Sequence, residues 1–502
     1  MRRRHLLAIG CLLLLTLGAG CQGIDPPDEN PTPPDHGQPA DPASDRVGWE
    51  DGYWHNESID VDQSDGLNDT EMDAYVARSM ARVEVLRDRE FQSRVPVSVI
   101  SRAEYRNRST SSPSDGYRAW NNQVWEAMLV VGEDEDVQDL LNSTYGGSVL
   151  GFYSSRNDQI TIVTPTPDQP TVNNATLIHE LAHAMQDQYH DLGSGRFGAP
   201  TQDGDLAASS IVEGEANYLE ARYTERCGDD WACVASPSSD GGGGDGPPNW
   251  GISLTVYFPY SDGPAYVADL IEAGGWDAVD AAFAEPPAST EQVIHATDEE
   301  PVDVTVADTA SDGWTRFDGQ GDGGADTLGE ASTYVAFWYQ SRYHDAGVID
   351  PNGVVDVESP YDTYDYRSGP SEGWAGDAVV PYENDGAYGY VWKSQWDSTA
   401  EAGEFASAYR SVLRAHDADH ENGTYVVTEG PFADAFRIER VNETVTITNA
   451  PTADALDAVH RPDDAAAPPD AGGETTGLPG FGIGAALAAA LAAALVALRR
   501  RV

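Results

Sequence analysis

Positive charge is scarce in this sequence. Lys and Arg together number 29 among 502 residues, against 84 Asp and Glu, which leaves a formal net charge of -55. A field of that sign repels nucleic acid and anionic headgroups, so nucleic-acid binding is excluded. The acidic residues are spread along the chain rather than held in one tail. Their mutual repulsion is screened when the Debye length falls to about 3 Å near 1 M salt, and the composition reads as adaptation to high salt. A disordered acidic chain is excluded by 12 Trp, 23 Tyr and a hydrophobic content of 40%, enough for a sizeable core in two or three domains.

Cysteine is scarce too, with four residues. Cys11 and Cys21 belong to the amino-terminal segment, leaving Cys227 and Cys233, which are expected to form one local disulfide in an oxidising exterior. A cysteine-ligated metal site is thereby excluded, because no further sulfur ligands lie nearby.

Both ends read as addresses. Arg2–Arg4, an apolar run from Leu6 to Leu17, and Gly18-Ala19-Gly20-Cys21 have the order of a signal peptide over residues 1–20. Cys21 resembles the lipidated cysteine of a lipobox, although Gly18 departs from the usual Leu, and Arg3-Arg4 resembles a twin-arginine signal. At the other end, residues 478–502 hold Pro479-Gly480-Phe481, an Ala/Leu run and Arg499–Arg501. This order resembles the PGF-CTERM tail of archaeal surface proteins, which implies removal by an archaeosortase and attachment to lipid. A plain transmembrane anchor is the alternative, and it faces the same side. The expected location is the outer face of the cell membrane of a halophilic archaeon. Residues 21–70 and 451–477, rich in Pro, Asp, Ala and Gly, read as tethers, and sequons at Asn56, Asn68, Asn107, Asn142, Asn174, Asn422 and Asn442 fit an exported glycoprotein.

Between the tethers, the patterning predicts an α+β fold: one domain over 71–300 and a mainly α subdomain over 301–450. Helices are predicted over 72–91 and 120–141, with a break at 132–135, and strands over 95–100, 149–153 and 159–163. Next comes Leu177-Ile178-His179-Glu180-Leu181-Ala182-His183, opened by the helix-start residues Asn174-Ala175-Thr176. Residues four apart share a helix face, so His179 and His183 can grip one metal ion, while Glu180 stands about 100° around the helix. A second helix, Ser210 to Glu220, carries Glu213-Gly214-Glu215-Ala216.

Together these motifs resemble the gluzincin peptidases: an edge strand, an HExxH helix and an EGxA third-ligand helix. The longer run His179 to Leu192 resembles a family of uncharacterised bacterial and archaeal metallopeptidase-like proteins. The likeness continues at Pro259-Tyr260-x-x-Gly263, through 274–280, 286–295, 326–330 and 373–377, and ends near Phe405. The resemblance implies zinc bound by His179, His183 and Glu213, with Glu215 as the alternative third ligand. It also implies a water activated by that zinc and Glu180 as general base. The strand 159–163 is expected to pair with an extended peptide, so the expected partner is a protein or peptide substrate. Tyr260, Glu291 and His295 read as packing and hydrogen-bonding residues, and Asp318 to Glu330 as an acidic loop rather than a calcium loop. Two alternatives to a peptidase stand beside this reading: a catalytically inactive binding or envelope protein on the same scaffold, and a solute-binding lipoprotein.

Overall fold

The computed structural model describes residues 41–107, 113–145, 149–235 and 247–461. The expected signal peptide, Cys21, and the tail with Pro479, Gly480 and Phe481 lie outside these. Among the described residues no helix is long and apolar enough to cross a membrane.

The fold is mixed α+β. A short hairpin, β1 (Trp49–Glu50) and β2 (Tyr53–Trp54), lies against α1 (Asp69–Arg87). Asn68 and Glu71 form a capping box that starts α1. With Trp54 and Leu67 buried, the described part of the 21–70 stretch is packed structure rather than tether. Sequence composition hid this because Asp and Gly precede each apolar anchor.

The chain continues through β3 (Val97–Ser101), α2 (Arg102–Asn107), α3 (Asp115–Ala127) and α4 (Val137–Tyr145), then β4 (Gly151–Ser154) and β5 (Gln159–Thr164). These three strands form a sheet in the order β3-β5-β4. Val97 to Ser101 run parallel to Ile160 to Thr164, and Phe152 faces Thr161 in the antiparallel pair. The expectation that residues 159–163 would take a peptide is therefore corrected. Both edges of β5 are occupied, and β4 is the edge strand beside α5 (Asn174–His190).

Asn173 caps α5 by accepting the Ala175 N–H at 2.8 Å. The long α6 (Gln202–Arg226) packs on α5 and on α1. Just beyond it, Cys227 and Cys233 form the expected disulfide. Its loop is held by two arginines of α1: Arg78 Nη1 and Arg82 Nη2 donate to the Ala232 carbonyl at 2.9 and 3.0 Å. Asn174, read as a sequon, has its amide nitrogen donated to the Val234 carbonyl and serves as a structural contact.

Four helices follow: α7 (Trp250–Ser261), α8 (Gly263–Gly274), α9 (Trp276–Ala284) and α10 (Thr290–His295). Gly214 of α6 meets Gly263 of α8. A Cβ on Gly263 would stand 2.6 Å from the Ser210 carbonyl oxygen and 2.9 Å from Gly214 Cα, so this crossing requires the bare backbone of both.

The last region contains β6 (Thr315–Arg316), α11 (Gly329–Tyr343), β7 (Trp374–Asn384), β8 (Ala387–Trp396), α12 (Thr399–Ala415), β9 (Asp419–Glu421), β10 (Thr424–Val426), β11 (Ala435–Val441), β12 (Thr444–Ala450) and α13 (Leu456–Val459). The strands make one antiparallel sheet in the order β6-β7-β8-β12-β11-β10-β9. This corrects the mainly α expectation for 301–450. Tyr334, Phe337 and Trp338 of α11 pack in the core, with Tyr339 partly buried against it. Leu456 and Val459 are buried as well, so the start of the expected 451–477 linker belongs to the fold.

Three buried aspartates tie helix starts together. Asp203 accepts the Thr290 N–H and hydroxyl, Asp326 accepts the Gln202 and Thr327 N–H groups, and Asp377 accepts those of Leu328 and Gly329. Burial pushes Asp203 and Asp326 up to about 7 and Asp377 to about 6, against the pull of these donors. A carboxyl raised on folding favours the protonated form, so its stabilisation is complete below the unfolded value and is lost as pH rises through the folded one. At fixed molar salt the midpoint of thermal unfolding is expected to fall between about pH 5 and about pH 8, and less steeply in Asp203→Asn. Calorimetry across that range checks the sign; a midpoint that rises with pH refutes it.

Candidate metal centre

α5 and α6 bring three donor atoms together. His183 Nε2 and His179 Nε2 stand 3.0 Å apart, and Glu213 Oε2 lies 3.2 Å from the first and 3.3 Å from the second. Donors on a tetrahedron with arms of about 2.0–2.1 Å stand about 3.3–3.4 Å apart, so the triangle has the size of one tetrahedral face. This His179–His183–Glu213 group can hold a metal ion.

The polarity of the ligands is set by a neighbour that the sequence did not single out. Gln186 donates its amide nitrogen to the Val212 carbonyl and to Glu215 Oε2, both at 2.9 Å. Its oxygen is thereby left to accept from His183 Nδ1 at 2.9 Å. Neutral His183 then carries its proton on Nδ1 and turns a bare Nε2 lone pair toward Glu213 and His179. Burial alone would lower His183, but the Glu213 carboxylate more than reverses this and lifts it to about 9. Burial likewise raises Glu213, yet the two histidines bring it down to about 2. A pair that attracts a proton so strongly is a pair whose charge suits a cation.

Glu215 points elsewhere. It forms an ion pair with Arg87 of α1, both side chains 3% exposed, and Arg87 also reaches Asp280 of α9 at 2.5 Å while stacking over Trp276. Two residues along a helix turn a side chain by about 200°, which separates Glu213 from Glu215. Glu220, one further turn and a half along α6, sets its carboxylate 3.9 Å from His179 Nδ1.

Glu180 is not among the converging donors. It accepts the backbone N–H of Tyr153 from β4, and its Oε2 is sealed without a hydrogen-bond partner. Burial raises its affinity for a proton, against the two histidines, which lower it. Tyr260 lies beside the group, its ring 6.5 Å from that of His179. All four residues, His179, Glu180, His183 and Glu213, are at most 2% exposed.

Comparison with known families reaches a later part of the chain. Residues 315–460, from β6 to just past α13, match the model of a family described as Domain of unknown function (DUF8575). No curated protein matches the chain. The matched region holds the seven-stranded sheet and lies outside α5 and α6, the helices that carry His179, His183 and Glu213.

The remaining residues weighed from sequence are dispersed. His295 bonds Glu330 at 2.9 Å, and Glu291 is buried nearby with one oxygen unpartnered. Asp326 caps α6 while Glu330 turns to His295, so the 318–330 carboxylates do not converge as a calcium loop would require.

Proposed function

We propose that the chain is a zinc-dependent peptidase of the gluzincin type, held at the outer face of an archaeal cell membrane. The observation that carries the reading is the triangle of His179, His183 and Glu213 donors, with the His183 tautomer fixed by Gln186. Two imidazoles and one carboxylate suit zinc and leave a fourth position for a reactant. A zinc ion in that group supplies Lewis acidity toward a peptide carbonyl and toward water. Glu180 takes the proton from the attacking water and returns it to the leaving amine. The peptide runs along the free side of β4, the edge strand that bonds Glu180 through Tyr153. The lipid on Cys21 and the sorting tail belong to the same proposal and rest on the terminal motifs.

One observation favours a second reading. A centre no more than 2% exposed resembles the closed sites that hold metal for structure, as an inactive binding or envelope protein would have.

The chain purified in molar salt is expected to carry about one zinc, and His183→Ala to carry none, by elemental analysis. Wild type devoid of any transition metal after zinc-replete expression removes the proposal.

A further inference from the structure

A second group of acids joins the end of α3 and its following loop to the loop before β11. Glu126 ends α3, Glu133 follows in the loop toward α4, and Asp434 precedes β11; one carboxylate oxygen of each lies within 4.8 Å of the others. Glu126 and Asp434 are buried, and Glu133 is exposed. The backbone on either side is closely joined, with Glu133 N–H donating to the Pro431 carbonyl at 3.1 Å.

The donors available do not neutralise three carboxylates. Gln123 gives one N–H to Glu126 at 2.6 Å, and Asn449 gives one to Asp434 Oδ2 at 2.8 Å. Both are uncharged. Among the described residues no basic side chain is a leading influence on any of the three. Asp434 is 4% exposed and no N–H or hydroxyl reaches its other oxygen, Oδ1; the only further groups within hydrogen-bond reach of this side chain are Glu126 and Glu133, which can bond to it only by holding a proton. An unpaired buried carboxylate oxygen is costly, more so beside two further acids that contact the same side chain. Burial and mutual repulsion raise Glu126 well above its ordinary range and lift Asp434 to about 7. One proton can bridge one pair of carboxyls, whereas three acids and an orphan oxygen call for a multivalent charge.

We propose that Glu126, Glu133 and Asp434 bind a divalent cation, calcium, that pins the end of α3 and its following loop to the loop before β11. All-oxygen ligation by carboxylates selects a hard cation. Calcium–oxygen distances of about 2.3–2.6 Å allow ligand oxygens up to roughly 5 Å apart, whereas magnesium at about 2.0–2.1 Å allows only about 4 Å. The exposed Glu133 leaves room for water in the remaining positions. The site joins Asp434, inside the 315–460 family match, to two acids outside it, so its occupation couples the matched region to the helices before it.

The test is calcium titration of the full chain in molar KCl, followed by calorimetry and by the midpoint of thermal unfolding. One saturable site above the diffuse background is expected, with a higher midpoint when it fills, and magnesium binding more weakly. Asp434→Asn should abolish the saturable component. Glu133→Gln, which leaves the buried pair intact, should weaken it at least about tenfold while keeping the fold. Glu213→Ala should retain it. Identical unsaturable isotherms for wild type, Glu133→Gln and Asp434→Asn overturn the proposal. So does loss of the saturable site in Glu213→Ala, which would assign the calcium to the other centre.

Discussion

Replacing Glu180 by glutamine is expected to leave one metal ion per chain and to lower peptide hydrolysis by about 10²–10⁴-fold. The two halves of that result come from separate facts. Metal is retained because Glu180 is not one of the three converging donors. The side chain keeps its shape, and the amide oxygen can still accept the Tyr153 N–H that the carboxylate accepts now. Hydrolysis falls because the sealed Oε2, the atom with no partner in the protein, becomes an amide nitrogen and can no longer take a proton. A Glu180→Gln chain as active as wild type sinks the mechanism. Wild type inactive on every peptide tried in high salt favours the inactive scaffold instead, which the burial of the site already suits.

The metal group was legible because it is local. His179 and His183 need only helical spacing to meet, and Asn173-Asn174 supplies the start that makes the helix. Glu213 required a resemblance, since nothing in the spacing between α5 and α6 says that they cross. What positions these ligands could not be read at all. Gln186 stands three residues from His183 in plain view, but its role depends on Val212 and Glu215 arriving from α6. The Arg87–Glu215 pair spans 128 residues of sequence.

The sheet of the last region was missed for a different reason. β7 is buried at nearly every position on both faces, so it shows no polar alternation. It also contains Pro381, which argues against a strand. That proline is tolerated because β6 pairs only with Tyr382 and Glu383 and the bridge from Asp326 stops at Val379, so no neighbour asks for its missing N–H. The parallel pairing of β3 with β5 was equally out of reach, because three helices and the strand β4 separate the partners along the chain.

The sharpest separation is expected between two carboxylates that sit two residues apart. Glu213→Ala should lose the metal and unfold near the temperature of the metal-free wild type. Glu215→Ala should keep the metal at low temperature and lose about 3–5 kcal/mol of stability, the usual effect of removing one partner from a buried ion pair. Arg87 is then left 3% exposed with Asp280 as its remaining acid, itself shared with Arg89. Gln186 retains its bond to the Val212 carbonyl, so the oxygen that fixes the His183 tautomer still faces the ring. If the loss comes from the ion pair, Arg87→Met should destabilise to a similar degree, and the double variant should lose less than the two single losses added. Additive losses would mean that the two side chains act independently and that packing, not charge, dominates at Arg87. The reversed outcome for the metal, Glu215→Ala without it and Glu213→Ala with it, would transfer the third ligand to Glu215. That outcome demands that α6 turn by about 200° or that Arg87 release its partner, and a helix wedged by Gly214 against Gly263 leaves no room for the turn.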